Sequence, residues 1–263
     1  MRMLWQAVGA EWAKLWSVRS TWWCLAGALV LTVLTSVTLG GGAATEALRD
    51  GADGVRIVPS EAVISGTSFV QFALVAMAML VITSEYASGG IRITLQATPV
   101  RGVVLAAKAL VVGPVMFAVG VVTGAVATVA VYLLLSIDVF GGLVVLPIGD
   151  IVVDLLDMGV FYALVSVMTV GVGAAMRSAA GTLTVMFMLL MGLPLVILMT
   201  GLPALLDASL RMPMFAGLAF MDSTENLTGG PMPYSPGEGL VWLLAWTAAA
   251  VVAGHAVLRR RDA

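Results

Sequence analysis

The chain has 263 residues, of which 60% are hydrophobic and only 11% charged, with a formal net charge of −2 and a mean hydropathy of +1.06. Soluble domains carry about a quarter charged residues, so an ordinary water-soluble globule is excluded and lipid must solvate most of this surface. The single cysteine, Cys24, excludes an internal disulfide and a multi-cysteine metal site.

Residues 1–19 predict a helix lying in the membrane interface. At 100° per residue, Trp5, Trp12 and Trp16 fall within about 40° of one another, with Glu11 and Lys14 on the opposite side. Tryptophan favours the headgroup level, and Lys14 and Arg19 suit a cytoplasmic leaflet. Two other readings stand beside this one. The stretch could be a short cytosolic tail, or part of a cleaved leader; a leader leaves five spans and strands Arg259, Arg260 and Arg261 on the wrong side.

The intervals between charges then predict six helical spans, over about 20–43, 62–84, 109–136, 155–176, 178–204 and 239–258. About 20 apolar residues cross a hydrocarbon core of about 30 Å, and no alternating strand pattern competes. The fold class expected is an all-α integral membrane protein, a six-helix bundle forming one transmembrane domain over 1–263.

Of the connections, 46–61 is a short polar loop, whereas 85–108 mixes both signs of charge with apolar residues at helical spacing. Ile91, Leu95 and Thr98 oppose Arg92 and Gln96, and Pro99 should stop the helix near Thr98. An amphipathic helix at the membrane surface is a docking element for a partner. Gly141 to Pro147 breaks the pattern before the fourth span. There Asp150, Asp154 and Asp157 share one face, either as a solvated helix start favoured by the helix dipole or as a cation-attracting stripe at the mouth of a pathway. Met168 and Met176 in the fourth span and Met186, Met188, Met191 and Met199 in the fifth suit ordinary packing or an adaptable apolar wall. The apolar run 212–221 is too short to cross, and predicts a re-entrant or interfacial helix.

Charge placement orients the bundle. With both termini on the cytoplasmic side, that side receives ten of the 13 basic residues, including Arg2, Lys14, Arg19, Arg92, Arg101, Lys108 and Arg177, against Glu11, Glu85 and Asp262. The outside receives Arg49, Arg56 and Arg211 with the other twelve acids. The localisation expected is a bacterial inner membrane, crossed six times.

No GxxxxGK[ST] pattern is present, so the chain has no P-loop of its own, and the tripeptide Ser88, Gly89, Gly90 is too short a fragment to imply a nucleotide site. The one histidine, His255, has no catalytic partner in the pattern, and no acid lies mid-span to relay protons. These observations argue against an enzyme, a bound cofactor, a metal site or a nucleic-acid partner in this chain.

The stretch SEYASGGIRITLQATPVRGVVLAAK resembles the loop between the second and third spans of ATP-binding-cassette permeases of the type-2 exporter class. The matching positions are Glu85, Gly89, Gly90, Leu95, Pro99, Arg101 and Lys108. EWAKLWSVRSTWW, with Glu11, Lys14, Leu15 and Arg19, is similar to the start of that family, and MRSAAGTL at Arg177 to its fourth-to-fifth connection. The resemblance implies an N-terminal elbow helix carrying Trp5, Trp12, Lys14, Trp16 and Arg19. It also implies a cytoplasmic coupling helix that meets a separate ATPase subunit through Glu85, Gly89, Gly90, Ile91, Arg92, Leu95, Pro99 and Arg101, and an extracellular re-entrant segment at 212–221. A second permease chain, identical or related, would complete the transporter. ATP and magnesium would bind the partner, and membrane lipid would surround the whole. The function implied is ATP-driven export of a hydrophobic or amphipathic substrate; a membrane scaffold or immunity protein, or a secondary transporter without an ATPase, are the alternatives.

Overall fold

Backbone groups in hydrocarbon must bond within their own segment, and helices accordingly dominate the architecture. A computed structural model describes residues 2–51, 56–98, 100–140, 142–223 and 232–260. In chain order it contains α1 (Arg2–Ser17), α2 (Arg19–Arg49), α3 (Pro59–Ala87), α4 (Gly90–Ala97), α5 (Arg101–Leu135) and α6 (Ile148–Met176). There follow α7 (Ala179–Phe187), a π-helical segment (Met188–Gly192), α8 (Leu193–Met199), α9 (Pro203–Leu210), α10 (Pro213–Phe220) and α11 (Pro236–Arg260). Six of these units are long and apolar enough to cross a membrane: α2, α3, α5, α6, the composite Ala179–Met199 and α11. The chain is a multi-pass helical membrane protein.

Helix α6 lies at the centre of the bundle, against α3, α5, α7 and α11, and α3 fills the space between α2, α5 and α6. Close approach is achieved with glycine. A Cβ on Gly171 would stand 2.7 Å from the Ala250 carbonyl carbon, and one on Gly254 would stand 2.3 Å from the Gly171 oxygen, so α6 and α11 cross backbone to backbone. A Cβ on Gly120 of α5 would similarly stand 2.9 Å from Gly159 Cα of α6. Both ends of the chain lie at one end of the bundle, where the Arg101 guanidinium at the start of α5 donates to the Leu258 carbonyl near the end of α11. At the far end, Ile57 and Val144 form a parallel bridge, the only strand-like pairing among the described residues.

The fifth span departs from expectation. In place of one helix over 178–204, α7 widens into the π segment at Met188, where the Leu193 amide bonds the Met188 carbonyl five residues back. Pro194 has no amide to continue the α-pattern, and Gly192 leaves room for the Met188 thioether, 2.7 Å from where a Cβ would sit. The helix stops at Met199, and Gly201, at φ +65°, turns the chain into α9. Ser209 of α9 then donates to the Pro194 carbonyl at 2.7 Å, returning the segment to the bundle. The run 212–221 forms α10, whose residues Pro213 to Ala219 are all buried. It packs against α3, α6, α11 and the π segment, with Gly217 pressed against the Phe161 ring.

The glycine crossing gives a direct test. Gly171→Val should lower the thermal unfolding midpoint in detergent by an amount equivalent to at least about 1–3 kcal/mol, because backbone cannot yield as a flexible side chain does. Gly27→Ala, in open space, should leave it unchanged or slightly raised.

Candidate functional site

The end of the bundle that holds the termini is built around a cation. Lys108 lies two turns inside α5 and is fully buried. Its three ammonium protons meet three acceptors: Glu11 Oε2 of α1 at 2.7 Å, Glu85 Oε1 of α3 at 2.8 Å, and the Val81 carbonyl at 3.0 Å. Lys14, half exposed, bridges the same two carboxylates at 2.9 Å each and reaches Thr94 Oγ1 of α4 at 3.4 Å. The Thr94 hydroxyl in turn donates to Glu85 Oε2 at 3.2 Å. Burial opposes the charge on Lys14, but its hydrogen bonds to Glu85 and Glu11 and their negative charges outweigh it and hold the ammonium above the ordinary lysine range. Two cations and two anions alternate, so the cluster is neutral and joins four helices.

This arrangement fixes the orientation of α1. Its charged face turns into the protein, with Glu11 buried, while Trp5 and Trp12 face outward. Trp16 packs edge-to-face against Trp12 and tilted against Trp22, with ring centroids 5.6 and 5.2 Å apart. Arg19 opens α2 and is exposed.

Of the residues expected on the amphipathic helix, Glu85 stands in the last turn of α3 instead. Gly89, at φ +72°, makes the left-handed turn that ends α3 and starts α4 at Gly90. Helix α4 ends at Ala97, and Pro99 lies outside the described residues. Ile91 is buried and Leu95 half-buried, whereas Arg92 and Gln96 are exposed, as the spacing predicts. Ile93 adds an unforeseen feature, an apolar side chain 71% exposed at the surface of α4. Arg101, at the start of α5, donates to the Leu258 carbonyl of α11. Arg177, in the left-handed region at the end of α6, lies over the Tyr86 ring at 5.5 Å and so ties the fourth-to-fifth connection to α3. A pocket of about 240 Å³ opens beside the cluster between α1, α2 and α3, with Lys14 and Glu85 on one wall and Cys24 and Met77 on another.

At the far end, Asp154 accepts from Ser60 at 2.5 Å and is half-buried, as is Asp157, while Val152 and Leu156 face outward. The acidic face therefore turns partly inward, not wholly into water. Midway through the bundle, Ser36, Gln71, Tyr162 and Ser166 are buried. The Tyr162 hydroxyl closes no hydrogen bond there. Among the methionines, Met168 and Met186 belong to the core, whereas Met188 and Met199 are exposed. Among the described residues, no group of three or more His, Cys, Asp or Glu could hold a metal ion.

Comparison with protein-family models and with curated proteins finds no match.

Removing one carboxylate from the cluster leaves a buried charge undercompensated. Glu85→Ala and Glu11→Ala should each destabilise the fold by about 3–5 kcal/mol, seen as a lower melting temperature of the detergent-solubilised chain. Lys108→Met combined with Glu11→Gln should recover most of that loss, since Lys14 and Glu85 then remain as a pair.

Proposed function

We propose that the chain is the permease subunit of an ATP-driven exporter, with α4 as the element that receives movement from a separate ATPase. The observation that carries this reading is the way α4 is mounted. It is short and presents Ile93 and Arg92 outward, yet its Thr94 is bonded into the cluster that also holds α1, α3 and α5. A push on such a helix is transmitted to the ends of two spans and to the interfacial helix together, whereas a loop on a flexible tether would absorb it. The lack of a P-loop in the sequence makes an external energy source a requirement of any active transport.

In this reading the end with the termini faces the cytoplasm, in keeping with the excess of basic residues there. The membrane is a bacterial inner membrane. A second permease chain, identical or related, packs alongside, and substrate passes between the two copies beside the second and fifth spans. Apolar side chains on that side, including Phe69 of α3, Phe187 of α7 and Met188 of the π segment, suit a hydrophobic or amphipathic cargo. ATP binding in the partner shifts the pair between an inward-open and an outward-open state, a two-state population change driven through α4.

The test is co-purification of the tagged chain from native membranes in mild detergent, with ATP hydrolysis assayed in the eluate. An ATP-binding-cassette subunit should accompany the wild type and be reduced at least about tenfold with Ile93→Asp, a loss of about 1.4 kcal/mol, while the melting temperature is unchanged. Recovery of the chain without any ATPase would overturn the permease reading in favour of a scaffold or secondary transporter.

A further inference from the structure

A second surface feature lies on the opposite face of α1 from the charge cluster. Helices α2 and α5 converge at the far end of the bundle, where a Cβ on Gly40 would stand 2.8 Å from Val131 and one on Gly41 would stand 3.3 Å from Leu134. Towards the termini they bound a groove of about 490 Å³, walled by Trp12, Trp16 and Trp22 and floored by Ala26, Pro114 and Ala118. The floor is low because Ala26 and Ala118 are small and Pro114 is compact, and all three are exposed. The size falls within the range of small-molecule sites, about 300–1,000 Å³.

We infer that this groove holds one acyl chain of an anionic phospholipid from the leaflet at the end of the termini, with the lipid phosphate held by Arg19. Three features of the groove select this occupant. The lining contains no charged residue, so the ligand segment inside it is a hydrocarbon. Along α5 the groove runs from Pro114 to Thr123, about 14 Å at 1.5 Å per residue, which is about half a hydrocarbon core of 30 Å and therefore the depth of one leaflet. A spanning helix of another protein would need a seam continuing to the far end, where α2 and α5 close together. Finally, Arg19 precedes Trp22, Ala26 and Leu29 by three, seven and ten residues, so it extends the same stripe of α2 towards the headgroup level. Its exposed guanidinium is suited to a bidentate phosphate contact. The tryptophan wall adds large rigid surfaces with little conformational entropy to lose when the chain is bound.

This inference rests on the membrane fold alone and stands whether or not the chain is a permease. Its test is native mass spectrometry of the full chain released from vesicles of phosphatidylglycerol and phosphatidylcholine in equal amounts. Wild type should carry one phospholipid per chain, enriched in phosphatidylglycerol. Ala118→Phe fills the groove and should reduce lipid-bound protein at least about tenfold without lowering the melting temperature. Ala26→Phe does the same from the α2 wall and keeps the test open if the first variant fails to fold. Arg19→Gln should retain the lipid but lose the preference for phosphatidylglycerol. Unchanged lipid retention by both filled variants would overturn the site, as would equal retention of both lipids by the wild type. A lipid-free species of two chains that Ala118→Phe returns to single chains would also overturn it, assigning the groove to a second copy.

Discussion

A lysine with no exposure to solvent organises this molecule. An ammonium group removed from water is tolerated only where anions and dipoles replace its hydration, and Lys108 obtains two carboxylates and a carbonyl from two other helices, α1 and α3. Those partners cannot be supplied locally, because Glu11 lies 97 residues before it in the chain and Glu85 lies 23 before it. The cation therefore dictates where α1 docks, where α3 ends and how deep α5 begins. Lys14 then shares both carboxylates and carries the constraint to α4 through Thr94. A neutral cluster with directional bonds also specifies one arrangement of these helices more sharply than apolar packing would, since a displaced helix leaves a buried charge without its partner.

The remaining architecture follows from two different kinds of contact. The middle of the bundle depends on glycine, at the crossings of α5 with α6 and of α6 with α11, because lipid offers no hydrophobic force to drive helices together and association relies on close van der Waals approach. The far end depends on short-range polar links, such as Ser60 to Asp154 and the paired loops around Ile57 and Val144. The charged end is fastened by ion pairs and the core by shape, and α4 is exposed at the fastened end. That distribution places α4 on the part of the protein where ion pairs join the ends of the spans.

Much of this was legible in the sequence, for reasons that differ by element. The spans could be located because charge is excluded from hydrocarbon, so Arg19, Glu61, Lys108 and Glu238 bracket them without knowledge of tertiary structure. Even so, Lys108 reads as a loop residue by that rule, and its burial follows from Glu11 and Glu85, which are distant in sequence. The amphipathic pattern of Ile91, Leu95, Arg92 and Gln96 was readable from spacing. The separation of Glu85 from that helix depends on the backbone conformation of Gly89, a Ser-Gly-Gly signal that was visible but read as a mere tripeptide. The wheel placed Glu11 and Lys14 opposite the tryptophans correctly, yet a wheel has no outside, and only the partners on α3 and α5 decide that the charges point in. The interruption of the fifth span had a local mark in Gly192 and Pro194, which hydropathy, being blind to hydrogen bonding, passes over.

That interruption has a consequence for how the chain can vary. A π turn holds one residue more than the α turn it replaces, so the amide at Leu193 bonds five residues back while the helices on both sides keep their regular pattern. The span thereby absorbs a change of one in chain length within five residues, and Leu193–Met199 presents the same face that it would in an uninterrupted helix shorter by one. Insertions and deletions, ordinarily confined to loops because they rotate everything downstream by 100°, have a permitted address here inside a membrane helix.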